Sequence, residues 1–255
     1  MFENAANSTP LLSVCVAVYK RHEAPNLTTL AASLGAAAVD TTIELVVTLN
    51  GISAADAGVP SWARVVDLGI NRGVAPGWNA AAGAATGEVL AFVNDDALPG
   101  PGSLDQLTRG LLGRADAGVV GPTGSRWDFV TGHAGPRITL DHHSIGAAVE
   151  CETIDGYHFL CRRSTFDEVG GFDEFYAPAS WEEVDFCTAV RATGRRNFAV
   201  AGVDVQHEYA ISRRQMPWRR VQFDGRSETL RSIHRRNRRH FLNKWSGQPL
   251  APIQP

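Results

Sequence analysis

Several features are missing from this sequence, and each absence excludes a class. No apolar run approaches the roughly 20 residues that a membrane-spanning helix needs. The opening stretch, MFENAANSTPLL, has no basic region followed by an apolar run, so no signal peptide is expected. The four cysteines, Cys15, Cys151, Cys161 and Cys187, form no Cys-x-x-Cys pair. Zinc-ligand spacing is therefore absent, and a disulfide framework is not expected in a chain of 255 residues. Each cysteine reads as a small apolar side chain in a reducing compartment, which points to the cytoplasm. Internal repeats and low-complexity segments are absent too. The net charge of −3 gives no sign of a nucleic-acid binder.

What is present fits a soluble globular chain, with 44% hydrophobic and 20% charged residues and enough length for one large domain. The charges are unevenly placed. Of 24 Lys and Arg and 27 Asp and Glu, eleven and two fall between Arg213 and Lys244, a local balance of +9. The remainder holds thirteen and twenty-five, a balance of −12. An acidic body thus carries a basic tail.

Strand-like and helix-like segments alternate through the first half. LLSVCVAVY (11–19), IELVVTLNG (43–51), ARVVDLG (63–69), EVLAFVNDD (88–96) and AGVVGP (117–122) read as strands. NLTTLAASLGAAA (26–38), APGWNAAAGAATG (75–87) and SLDQLTRGLLGR (103–114) read as helices between them. Continuous apolar strands alternating with helices predict an α/β fold with a largely parallel sheet covered on both faces. Ligands bind such sheets beyond the carboxyl ends of the strands. That rule sets Tyr19, Asn50 and the Asn94–Asp96 cluster on one rim.

The second half is less regular. Residues 122–152 lack periodicity and read as a long loop or lid. IDGYHFLCRR (154–163) reads as a strand, STFDEVGGFDE (164–174) as a short helix and turn, and WEEVDFCTAVRATG (181–194) as an amphipathic helix. NFAVAGVDVQHEY (197–209) carries one or two strands, and residues 218–245 read as mostly helical.

The tip of the fourth strand, Asn94-Asp95-Asp96, crowds two carboxylates together. A hard divalent cation, Mg2+ or Mn2+, would relieve that repulsion and keep substrate phosphates in its shell. By strand alternation Asn94 and Asp96 share one direction and Asp95 takes another. The same residues also suit a solvated turn. In WEEVDF, Glu182 and Asp185 are three apart and share a helix face, while Glu183 points away. An acidic first turn that complements the helix dipole gives the same pattern.

The order Val-Ala-Val-Tyr-Lys-Arg, Asn-Gly, Asn-Arg-Gly…Gly-Trp-Asn, Asn-Asp-Asp, Gly-Gly-Phe-Asp-Glu, Glu-Glu-Val-Asp and a late His runs collinearly from about Leu11 to His207. It resembles the family 2 glycosyltransferases, and most closely their rhamnosyltransferase-like branch. The resemblance implies the A-type glycosyltransferase fold, a Rossmann-like sheet flanked by helices. It implies transfer of a sugar from a UDP- or dTDP-sugar donor to a hydroxyl acceptor, a glycan, glycolipid, protein or small molecule, with inversion.

Asp96 then matches the family's metal-holding acid, with Asn94 where some members have Asp, and with Asp95 between them. Val18, Tyr19, Asn50, Asn71, Arg72, Gly73 and Asn79 match donor-binding positions. The family often has Asp just before this Asn; here it is Leu49. Glu183 takes the position of the catalytic base, with Asp185 next and Glu182 the third candidate. His207 matches a His found near the metal and diphosphate in many members. A second metal site at His133, His142 and His143 is a further reading. Asp155, His158 and Trp181, with Trp127, are candidates for the acceptor, since aromatic faces stack on sugar rings.

Residues 1–212 are expected to form the catalytic domain, with a nucleotide-sugar half at about 1–121 and an acceptor half at about 122–212. Residues 213–255 would form a basic helical extension. This extension either packs on the acidic body or reaches a membrane surface, which would place the protein peripherally on the inner face. A homodimer is allowed by the resemblance. Nucleic acid is not expected as a partner. Two competing readings are a binding module without catalysis and a membrane-surface adaptor.

Overall fold

The computed structural model describes residues 10–20, 25–138, 140, 146–207, 216–248, 250 and 253. The strands are β1 (Leu12–Val18), β2 (Ile43–Leu49), β3 (Arg64–Asp67), β4 (Val89–Val93), β5 (Ala97–Pro99), β6 (Ala117–Gly121), β7 (Gly124–Asp128), β8 (His133–Ile138), β9 (Ala148–Cys151), β10 (Thr153–Ile154), β11 (His158–Arg162), β12 (Arg196–Val200), β13 (Val205–His207), β14 (Arg220–Phe223) and β15 (Arg226–Thr229). The helices are α1 (Leu27–Ala37), α2 (Ala54–Ala57), α3 (Val74–Ala84), α4 (Ser103–Leu112), α5 (Arg163–Val169), α6 (Glu182–Ala192) and α7 (Leu230–Trp245).

An eight-stranded sheet of order β3-β2-β1-β4-β11-β6-β12-β9 forms the centre. Its β3-β2-β1-β4 half is parallel, β11 and β9 run antiparallel to their neighbours, and β12 is parallel to β6. Alternation along each strand fills both faces. Leu12, Val14, Val16 and Val18 join the core under α1 and α4, whereas Cys15 joins the core under α3 and α6. The second core is an aromatic stack in which Phe92, Phe159, Phe172 and Phe186 pack with Trp78. All four cysteines are buried and free, as expected from their spacing. Among the described residues no helix is long and apolar enough to cross a membrane.

Two segments depart from the sequence expectation. Residues 122–152 hold three strands rather than one loop. β7 and β8 form a hairpin that extends with β10 into a three-stranded sheet, and β9 edges the main sheet. The hairpin lies at the surface, so its residues carry no apolar period, and Asp128 closes its turn by accepting from the amides of Val130 and Thr131. His142 and His143 lie outside the described residues. The stretch 218–245 begins with the β14–β15 hairpin before α7 starts. Asp224 and Gly225 form its two-residue turn with positive φ at both positions, the Asp-Gly signal for a hairpin.

The C-terminal element packs on the body. Phe241 of α7 is fully buried against Trp127, Phe129 and Trp181. Truncating it leaves a cavity in this seam. Phe241→Ala is expected to lower stability by about 3–5 kcal/mol in urea denaturation, and an unchanged midpoint would contradict this packing.

Candidate active site

The parallel strands deliver one group of residues to their carboxyl ends. Tyr19 follows β1 and stands exposed, with the Lys20 ammonium 5.4 Å from its ring centre. Val18 is buried in the core, so it contributes its carbonyl, which accepts from the Asn50 amide at 2.7 Å. Asn50 is also buried. Its amide donates to the Gly73 carbonyl at 2.8 Å and its oxygen accepts from the Arg72 amide at 2.7 Å. Asn71 accepts from the Gly73 amide and donates to the Gln222 carbonyl. Asn79 donates to the Phe172 carbonyl and to Glu174, and accepts from the Phe172 amide.

Three of the predicted donor residues thus hold loops in place, while Arg72 and Tyr19 face outward. Gly73 has φ 103°, and a Cβ there would lie 2.8 Å from the Pro178 Cα. Only glycine lets the 71–73 loop meet the 177–178 loop so closely. Leu49 sits in the core.

The acidic tip is a turn. β4 ends at Val93, the Asn94 amide donates to the Tyr157 carbonyl, and the Ala97 amide donates to the Asn94 carbonyl. The alternation rule therefore stops at Val93 and does not fix where Asn94 and Asp96 point. Pairing of β5 with β13 sets Ala97 opposite His207, and this brings His207 Nε2 to 3.3 Å from Asp96 Oδ1. The imidazole lies flat on the Tyr157 ring, 4.7 Å between centres and 7° between planes. Burial, and then the neighbouring Asp96 charge, push the Asp95 carboxyl up to about 8, with Lys20 opposing the shift.

A crowded carboxylate pair of this kind is what a divalent cation relieves. Among the described residues no group of three or more His, Cys, Asp and Glu side chains could hold a metal by itself. Asp96 and His207 offer two ligands. This suits a Mg2+- or Mn2+-type ion that takes its remaining oxygens from water and a diphosphate.

A second group of predicted site residues lies at the start of α6. Ser180 and Trp181 adopt left-handed backbone, φ 80° and 83°, immediately before the acidic turn. Such a conformation in non-glycine residues is held by its surroundings and often marks a functional site. Glu183 leans on the Gly156 backbone, where an added Cβ would come within 3.0 Å of its Cδ. Burial pushes its carboxyl up to about 7, and the charge of Asp155 adds to this. Glu182 is buried and held well above the usual carboxylate range by burial and by Glu183, and its Oε2 has no hydrogen-bond partner among the described residues.

Asp185 is committed elsewhere. It accepts from Tyr176 Oη at 3.0 Å, Trp245 Nε1 at 2.8 Å and Lys244 Nζ at 2.7 Å. It is a buried clasp for α7, which removes it as a base.

Of the acceptor candidates, Asp155 reaches the rim, where it accepts from Arg137 at 2.5 Å and Thr123 at 2.9 Å. His158 is fully buried, and burial pushes its imidazole down to about 3. No acceptor reaches it. Trp181 and Trp127 meet edge to face at 5.4 Å inside the α7 seam, so neither offers a free ring. Sequence reasoning favours Asp155 and His158 within DGYHF and passes over Tyr157, whose ring packs on His207. Thr123 and Arg137 are missed as well, because they lie in the segment without periodicity. Tyr157 Oη is 3.2 Å from Thr123 Oγ1, so a continuous path runs Arg137–Asp155–Thr123–Tyr157–His207–Asp96.

The family model "Glycosyl transferase family 2" matches residues 13–177, well over half of the chain. An uncharacterized protein of Sinorhizobium fredii is 27% identical over 165 residues, covering 57% of this chain and 18% of its own length. GalNAc-T7, solved with UDP, GalNAc and Mn2+, superimposes with TM-score 0.64 at 14% identity, over 90% of this chain and 48% of that one. A mannosyltransferase of Pyrobaculum calidifontis, in complex with GDP-Man and Mn2+, gives TM-score 0.50 at 18% identity, over 75% and 55%. The chain thus spans about a fifth of that relative and about half of each solved chain. The structural likeness shows the A-type glycosyltransferase fold.

The raised Glu183 carboxyl has a consequence for stability. The native chain keeps this proton above the ordinary value of 4.5 and releases it near 7, so stability present at low pH is lost as pH rises through about 7. Gln cannot ionise. Glu183→Gln is therefore expected to be more stable than the parent at pH 8, with the difference shrinking towards pH 4. Thermal melts at both pH values check this; an advantage that does not depend on pH contradicts it.

Proposed function

Because the chain belongs to glycosyl transferase family 2, we propose that it moves a sugar from a UDP- or dTDP-linked donor to a hydroxyl acceptor, with inversion at the anomeric carbon. The observation that carries this reading is the Glu183 carboxyl, pushed up to about 7 on the wall facing Asp155. A sugar hydroxyl is a poor nucleophile and needs a base that is ionised near neutral pH yet still basic. Glu183 has that character, and Asp185 does not, since Tyr176, Lys244 and Trp245 occupy its oxygens.

On the donor side, the exposed Tyr19 would take the nucleobase and the exposed Arg72 the diphosphate. Asn50, Asn71 and Asn79 keep the loops that carry them in register. Asp96 and His207 would hold Mg2+ or Mn2+, which would neutralise charge on the departing diphosphate. The Mn2+ and nucleotides of the two similar structures agree with this assignment. Glu182, whose carboxyl is held well above the usual carboxylate range by burial, backs the helix turn. Asp155, fixed by Arg137 and Thr123, is available to orient an acceptor hydroxyl beside Glu183. In this reading residues 1–212 carry the reaction, donor half about 1–121 and acceptor half about 122–212. Of the extension 213–255, the described α7 braces the acceptor wall.

A screen of UDP-, dTDP- and GDP-sugars with Mn2+ or Mg2+, read as nucleotide release, tests the proposal. Release is expected to need the metal and to fall at least about a hundredfold in Asp96→Ala. Unchanged release in that variant, or no nucleotide binding by the parent chain, would overturn it. With a productive acceptor, the rate should rise with pH and level off above about 7, the titration of Glu183. Glu183→Gln should lose about 10²–10⁴-fold in kcat while remaining folded.

A further inference from the structure

The face of the C-terminal element that points away from the body has no role in the reaction described above. Met216 and Trp218 are large apolar side chains that stand 56% and 70% exposed, far more than the core-facing aromatics nearby. The turn that carries them is well made, with the Arg219 amide donating to the Met216 carbonyl at 2.9 Å. The Arg231 amide donates to the Pro217 carbonyl at 2.9 Å, which joins this turn to the first turn of α7.

From there a basic stripe runs along the helix. Arg231, Arg235 and Arg239 recur at intervals of four and so share one face, opposite the buried Ile233, Asn237 and Phe241. Arg219, Arg231, Arg235 and Arg239 are exposed, and none makes a side-chain hydrogen bond or ion pair among the described residues. The two carboxylates of the element are already engaged, Glu228 by Arg236 and Asp224 by Arg226.

We propose that this face, Met216, Trp218, Arg219 and the Arg231–Arg235–Arg239 stripe, docks the protein on a phospholipid surface bearing anionic headgroups. The arginines supply the attraction, which is counted in charges near the surface. Trp218 and Met216 supply what a purely electrostatic site would not need: an apolar wedge at the level where tryptophan prefers to sit, between headgroup and acyl chain. A polyanion such as RNA would use the arginines and leave the methionine without purpose. The element is fastened at two places on the body, through Gln222 to Asn71 and through Asn237 to the 176–180 turn. Docking would therefore hold the strand-end rim at a fixed height above the bilayer, where a lipid-linked acceptor is presented.

The test is flotation of the full chain with vesicles of phosphatidylcholine alone or mixed with phosphatidylglycerol. Binding is expected only to the mixed vesicles and is expected to weaken with added salt. Arg235→Glu changes the local charge by two and should lower the partition about thirtyfold. Trp218→Ser should weaken binding with little change in its salt dependence. Both positions are exposed, and thermal melts confirm that the variants stay folded. Nucleotide release from the donor in solution should be unaffected by either change, so failure here is separate from failure of the proposed transferase activity. Equal partition of the parent and both variants, no binding to anionic vesicles, or binding to an RNA oligonucleotide but not to vesicles would overturn the proposal.

Discussion

The side-chain amide of Asn237 lies within 2.9 Å of the Tyr176 and Ser180 carbonyls and 3.2 Å of the Ala179 carbonyl, and much of the wall at the start of α6 depends on it. The turn it grips leads into two left-handed residues, Ser180 and Trp181, whose backbone is unfavourable without outside support. That turn aims the start of α6, where Glu182 and Asp185 are buried and Glu183 is partly exposed beside Gly156. Around this contact the other ties accumulate. Arg236 donates to the Ala177 carbonyl, Lys244 bridges Asp173 and Asp185, and Trp245 donates to Asp185. The basic extension is therefore a brace whose inner face is satisfied by the acidic loop it holds.

The same wall shows how electrostatics trade stability for chemistry. Asp95, Glu182 and Glu183 are all carboxyls held above their ordinary range, each chiefly by burial. Such groups weaken the folded state near neutral pH, and clusters of them mark functional sites more often than structural ones. The path from Arg137 through Asp155, Thr123 and Tyr157 to His207 and Asp96 links the β7–β8 hairpin to the acidic tip after β4. The ring of Tyr157 keeps the imidazole flat, and its hydroxyl ties that orientation to the loop that carries Asp155.

Much of the fold was legible because its central strands are apolar runs bounded by turn residues. LSVCVAV, IELVVTL and VLAFV appear as β1, β2 and β4, and helix spacing correctly set Glu182 and Asp185 together on a buried face. The hairpin at 124–138 was illegible, because its strands lie largely at the surface and carry no apolar period. The β14–β15 hairpin was within reach through Asp224-Gly225, but the surrounding arginines suggested helix. In the site, motif order located the residues but not their tasks. Asn50, Asn71 and Asn79 bind loops, His158 is core, Trp181 is seam, and Asp185 is a clasp. These distinctions depend on contacts far apart in sequence, such as Asp185 with Trp245, which no local pattern encodes.

The central claim is that one carboxylate, Glu183, activates the acceptor for a direct attack, with no covalent sugar intermediate on the protein. The configuration of the newly formed glycosidic bond reports this most directly. Proton NMR of the product, recorded as it forms from a donor of known anomeric configuration, is expected to show inversion at the anomeric carbon. A product with the donor's configuration retained would contradict the account.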